Sequence, residues 1–311
     1  MPPHVKRKFS ELNAEQSSSV QEIIRTFRDT CERLGMDEND ASLMELKRII
    51  DKLTNRKHRP FSDVSVTSYN FNNMGIRIQP MEWLPDGETD AKGYGAAASP
   101  GALSVDATRI NIRNVLKFVS LESEAGCRIL INALLIHVAS ILETDQSGAA
   151  IVPKPRSGDT PFASNEHSSG GVVDYMLIYG DKTLRDRIIK SETFAFNDLK
   201  TSTSLKCNIY EAKPEELFTP TTCLPKAAMA TISKAEQLGL KTFRGCVTSG
   251  KKWLFFIWNA DQQGGTVHWL DPLPLGERQD TTANLELILG ILRDWVEHGH
   301  DKDLRFFKYT E

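Results

Sequence analysis

Two short apolar runs constrain the fold of this chain more than any other feature. They are Gly170-Gly171-Val172-Val173-Asp174-Tyr175-Met176-Leu177-Ile178 and Cys207-Asn208-Ile209-Tyr210-Glu211-Ala212-Lys213. Short, β-branched and aromatic, they read as buried strands. Each places an acid where an apolar side chain is expected. Strand residues i and i+2 share a face, so Glu211 and Lys213 project together. If the two strands pair, Asp174 joins them. Two carboxylates and an ammonium converging on a sheet edge have the makings of a divalent-cation site facing a phosphodiester.

The spacing alone carries nothing. Acid-x-Lys occurs at Glu45-Leu46-Lys47, Asp90-Ala91-Lys92, Asp198-Leu199-Lys200 and Glu211-Ala212-Lys213, and about three such matches arise by chance at ordinary composition. Context separates them. Glu45 lies in a helical pattern, Asp90 in a Gly/Asp/Ala loop, and Asp198 before a Thr/Ser-rich turn. Only Glu211 ends an apolar strand, stopped by Pro214. Asp198 stays open as an alternative partner to Asp174.

The length of 311 residues suits one large domain or two small ones. Apolar content of 40% and charged content of 25% are those of a globular protein. The apolar run 129–142 is interrupted by Asn132, His137 and Ser140, so no membrane span is expected. Residues 1–8 lack a signal-peptide core, and cysteines 31, 127, 207, 223 and 246 form no CxxC pair. Free thiols in a reducing compartment follow, and an intracellular location in cytoplasm or nucleus is expected. Net charge of −3 means that any nucleic-acid binding must use local patches.

Along the chain, 1–18 reads as disordered. Amphipathic helices are expected around Val20–Cys31 and Leu43–Leu53, ending in the basic stretch 55–60. Residues 61–112 read as irregular, with a Gly/Ala/Pro-rich loop over 84–103. A helix starts at Ser120 or Ser123 and runs to Leu142, with Glu122 and Glu124 in its positive first turn. A Gly/Pro/Ser-rich loop over 146–169 and the two strands follow, separated by a polar insert over 181–206. Then come a helix over 224–238 closed by Gly239, a hairpin through Ser249-Gly250, a strand over 266–270 and a helix over 285–296. The expected architecture is α/β (α+β), a mixed sheet flanked by helices. An N-terminal helical region and irregular linker over 1–112 precede a second domain over 113–311, which carries the two acidic strands.

This succession of acidic helix, Gly-rich strand with Asp174, strand ending Glu211-x-Lys213, helix and strands resembles the PD-(D/E)XK restriction-endonuclease-like superfamily. It is most similar to fungal restriction-like and crinkler-type effector nucleases, over residues 119–270. The segment 245–253 is similar to a hairpin common in those proteins. The resemblance implies a restriction-endonuclease-like core and a metal-dependent nuclease acting on DNA rather than RNA. It implies Mg²⁺ or Mn²⁺ held by Asp174 and Glu211, Lys213 as the catalytic lysine and Glu124 as the helix carboxylate. The Ala212 carbonyl is a further candidate ligand. Arg128, one turn after Glu124, is placed to contact the scissile phosphate, and Lys234, Gln237 and Lys251 are candidate nucleic-acid contacts. The alternative is a catalytically silent member serving as a nucleic-acid or protein-binding effector module.

Other features are structural. His137 reads as a core histidine and His298-Gly299-His300 as a solvated helix end. Trp253, Phe255, Phe256 and Trp258 read as core more than as base-stacking groups. Gly245-x4-Gly250-Lys251 imitates a phosphate loop, but Lys252 stands where a Ser/Thr is needed and a strand follows. Arg244, Lys251 and Lys252 form a basic cluster on the hairpin; Lys182, Arg185, Arg187 and Lys190 form another in the insert.

Overall fold

The computed structural model describes residues 57–60, 71, 75–97, 99–161, 167–190, 206–262, 264–276 and 280–310. The expected disorder of 1–18, both N-terminal helices and Asp198 lie outside these residues. Contacts divide the chain into two units, residues 1–59 with 161–168, and residues 60–160 with 169–311. The second unit holds the candidate site.

The strands are β1 (Lys57–Pro60), β2 (Ile76–Trp83), β3 (Ser147–Pro153), β4 (Arg156–Pro161), β5 (His167–Val172), β6 (Tyr175–Asp181), β7 (Lys206–Ala212), β8 (Thr242–Thr248), β9 (Lys252–Asp261), β10 (Gly264–Trp269), β11 (Leu273–Pro274) and β12 (Phe307–Tyr309). The helices are α1 (Gly87–Ala96), α2 (Val105–Phe118), α3 (Glu124–Ile141), α4 (Lys182–Lys190), α5 (Pro220–Leu238) and α6 (Leu285–Glu297). Nine strands form one mixed sheet in the order β12-β2-β10-β9-β8-β7-β6-β3, with β11 on β9. Pairs β7–β8 and β2–β10 are parallel; β3–β6, β6–β7, β8–β9 and β9–β10 are antiparallel. The fold is therefore a mixed α/β sheet flanked by helices, as the strand and helix periodicities predict.

Alternation along the strands divides the core. Tyr175, Leu177, Tyr210, Ala212, Cys246, Phe255 and Ile257 face the cluster built with α3 and α6. Gly245 faces the other way, where an added Cβ would lie 2.8 Å from Thr231 of α5. The hairpin turns at Ser249-Gly250 as read from sequence, with Gly250 at φ 82°. Trp253, Phe255, Phe256 and Trp258 are core residues.

Helix α3 begins where Ser123 Oγ accepts the Gly126 N–H at 3.2 Å. It buries Cys127, Leu130, Ile131, Leu134, Val138 and Ile141 at helical spacing. The helix is long and apolar enough by composition to cross a membrane, yet 56% of it is buried inside the fold. His137 is buried and bonds Thr108 at 2.7 Å. Helix α5 starts earlier than the sequence predicts, with Pro220 at a first-turn position that needs no N–H donor.

Three expectations are corrected. Residues 75–112 are not irregular: β2, α1 and most of α2 lie there, so the stretch assigned to the N-terminal region contributes to the same sheet and its helical layer. The run 170–178 is not one strand; it breaks at Val173-Asp174 between β5 and β6. The Gly/Pro/Ser-rich stretch over 146–169 holds β3 and β4 and opens β5.

Candidate functional site

The site lies where the β6–β7 ladder ends. Its last paired residues are Tyr175 and Tyr210. Beyond them the Ala212 N–H points into a buried region, and a buried donor needs a partner. Asp174 supplies it: its Oδ2 accepts the Ala212 N–H at 2.8 Å. The strand break at Asp174 thus turns its carboxylate onto the residue between Glu211 and Lys213. Strand β8 holds the other side, where the Lys213 N–H donates to the Thr248 carbonyl at 2.9 Å.

Glu211 and Lys213 project together, as their spacing requires, and Lys213 Nζ lies 2.6 Å from Glu211 Oε1. The Oε2 of Glu211 is buried without a hydrogen-bond partner among the described residues. Helix α3 supplies the remaining charges. Arg128 Nη2 reaches Glu124 Oε1 at 2.5 Å and also bonds Asp174 Oδ1. Glu122 is exposed, so Glu124 is the helix acid of the cluster.

Burial shapes the electrostatics. It raises the Glu211 pKa, and the charge of Asp174 adds to the rise; Lys213 and, more weakly, the Asp174 backbone N–H oppose it without cancelling it. Burial works against the Lys213 charge, but Glu211, Asp174 and Glu124 outweigh it and hold the amine above its ordinary value. Arg128 behaves likewise between Asp174 and Glu124. Lys213 and Arg128 are therefore cations at neutral pH.

The donor set can be tested against a divalent cation. Among the described residues, no group of three or more His, Cys, Asp or Glu is gathered so as to hold a metal ion. Mg²⁺ often takes only one or two carboxylates, with water and substrate phosphate completing its shell. Glu211 Oε2 is one carboxylate donor for such a site, while the second, Asp174, has its oxygens engaged by Arg128 and the Ala212 N–H and takes part only if Arg128 moves.

The structure brings together Asp174, Glu211, Ala212, Lys213, Glu124 and Arg128. It does not bring Lys234 or Gln237 there. Lys234 is fully buried toward the far end of α5 and donates to Gln237 Oε1 at 2.7 Å. A buried ammonium cannot reach a nucleic-acid backbone. Arg244 also leaves the basic cluster, being fully buried against Asp294. Lys251 and Lys252 are exposed on the hairpin turn. With Leu116, Glu215, Pro274 and Leu275 they line a cleft of about 300 Å³. In α4, Lys182 and Arg185 pair with Glu143.

Sequence reasoning missed Glu215, which accepts from Ser249 Oγ at 3.0 Å and pairs with Lys252 at 3.1 Å. Its position just past Pro214, where the chain leaves β7, was the available signal. No protein-family model matches this chain, and no curated protein matches it.

Proposed function

We propose that the chain is a metal-dependent nuclease that hydrolyses phosphodiester bonds, of DNA rather than RNA. One observation carries the reading. Asp174, remote in sequence, meets the Glu211-x-Lys213 strand through the Ala212 amide, and the surplus acid of the pair lies beside a bound ammonium. In chain order α3 precedes β6, β7, α5, β8 and β9, as the resemblance to PD-(D/E)XK nucleases expects, with β3, β4, β5 and α4 interposed and Asp174 between β5 and β6 rather than within a strand.

Glu211 and Asp174 would hold Mg²⁺ or Mn²⁺. When bound, the cation lowers the pKa of a water and neutralises phosphate charge. The protein's own groups do the rest. Lys213, kept protonated by its acidic neighbours, acts as a charge and proton donor rather than a base. Arg128 offers a planar fork for non-bridging phosphate oxygens. Lys251 and Lys252 line a cleft that holds none of these residues, and Lys252 is paired there with Glu215, which leaves Lys251 as the candidate nucleic-acid contact on the hairpin. Hydrolysis replaces one ester oxygen on phosphorus by the water oxygen, and the departing oxygen takes up a proton.

The purified protein with plasmid, single-stranded DNA or RNA and Mg²⁺ or Mn²⁺ tests the reading. Lys213→Ala and Asp174→Asn should each lower the cleavage rate by about 10²–10³-fold while the fold survives. Asn keeps an acceptor for the buried Ala212 N–H, so it is gentler than Ala. Cleavage by both variants at the wild-type rate would sink the proposal. A second reading, a silent binding module, is favoured by the fact that both Asp174 oxygens are already engaged. It predicts no cleavage but salt-sensitive retention of nucleic acid.

A further inference from the structure

We infer that Arg128 is the resting counter-ion of the acid pair, and that a divalent cation reaches Asp174 only by displacing it. The inference rests on the nuclease reading and adds how the site is loaded. Three carboxylates, Glu124, Asp174 and Glu211, face two cations, Arg128 and Lys213. The two oxygens of Asp174 differ in how firmly they are held. Oδ2 takes the Ala212 N–H, which belongs to the sheet and cannot leave without opening it. Oδ1 takes the Arg128 guanidinium, which sits on a flexible side chain. Arg128 has a second anchor in Glu124, one turn back on α3, whose side chain is 41% exposed. Glu211 Oε2 has no partner among the described residues. A cation arriving at Oε2 therefore finds one exchangeable position on Asp174, and Arg128 holds it.

The exchange has a consequence for substrate. A displaced guanidinium keeps its hold on Glu124 and turns free donors outward. The matching acceptor for that fork is a phosphate group. Cation binding thus readies a phosphate contact, and phosphate drawing Arg128 away readies the acid pair for the cation. By reciprocity each ligand strengthens the other. A purely bracing role for Arg128, clamping α3 to the sheet, predicts none of this. It predicts lower stability without tighter metal binding when Arg128 is changed.

The test uses the full chain stripped of metal and titrated with Mn²⁺ alone, free Mn²⁺ being followed by electron paramagnetic resonance. Wild type, Arg128→Gln and Arg128→Lys are compared, with thermal unfolding and plasmid cleavage measured on the same samples. Arg128→Gln should bind Mn²⁺ on the order of tenfold more tightly than wild type, although it cuts more slowly. Arg128 meets both carboxylates through one nitrogen, Nη2; Arg128→Lys keeps a cation beside Glu124 on a more compact head, so it should fall between. If the Gln variant fails to fold, the Lys variant decides. Equal or weaker Mn²⁺ binding in the folded variants overturns the inference. Tighter binding in the variants with no cleavage by wild type upholds the exchange and ends the nuclease reading. Absence of Mn²⁺ binding in every protein ends both.

Discussion

His137 sits on α3 against Thr108, and burial pushes its pKa from 6.5 down to about 4. The unfolded chain takes up this proton near pH 6.5, the folded one only near pH 4. Between those values the unfolded state holds more protons, so stability rises with pH and is lost as pH falls through the window. The slope is up to about 1.4 kcal/mol per pH unit for one such group. His300, also pushed down to about 4 by burial and then by Lys206, adds a similar slope. We predict that His137→Gln makes the urea midpoint less steeply pH-dependent between pH 4 and 6.5. An unchanged slope would show that His137 titrates normally in the fold. Glu211 shows the opposite response to burial: an acid pushed upward yet left beside an ammonium, with one oxygen unpartnered. Its sequence context marked it as a strand-end acid, but only the folded neighbourhood sets its charge.

Helix α1 carries glycines that oppose helix formation by roughly 0.8–1 kcal/mol each relative to Ala. It forms because it crosses α6 at backbone contact distance. A Cβ on Gly95 would lie 1.9 Å from the Glu286 carbonyl oxygen, and one on Gly290 would lie 1.9 Å from that of Ala91. Nothing lies within 4 Å of a Cβ placed on Gly93, in the same helix. We therefore predict opposite signs for two substitutions. Gly290→Val should destabilise by at least about 1–3 kcal/mol through overpacking. Gly93→Ala should stabilise by about 0.5–1 kcal/mol through its lower chain entropy. Denaturant midpoints measure both, and equal effects would refute the account. The glycines read as a loop in sequence because local propensity cannot see the partner helix. Ser123 and the Ser249-Gly250 turn were legible because their causes are local.

At the scale of the whole molecule, Arg244 of β8 ties sheet, helix and C-terminal segment together. It is fully buried, pairs with Asp294 of α6 at 2.7 Å and donates to the Asp303 carbonyl at 2.8 Å. Burial raises the Asp294 pKa, and Arg244 opposes that rise. Arg244→Met leaves the carboxylate buried without its cation and should cost about 3–5 kcal/mol. Adding Asp294→Leu should recover much of the loss, since apolar replacement of a buried pair is often neutral. Thermal unfolding of both variants checks this; an unchanged midpoint for Arg244→Met contradicts it. By itself the sequence determined the mixed sheet flanked by helices, the shared face of Glu211 and Lys213, and the core role of the aromatics on β9, since strand and helix periods are short-range. Tertiary structure alone decided that Asp174 meets Ala212, that Arg128 stands between Glu124 and Asp174, and that Arg244 and Lys234 are interior. A charge's role depends on what folding sets across from it, and those partners are distant along the chain.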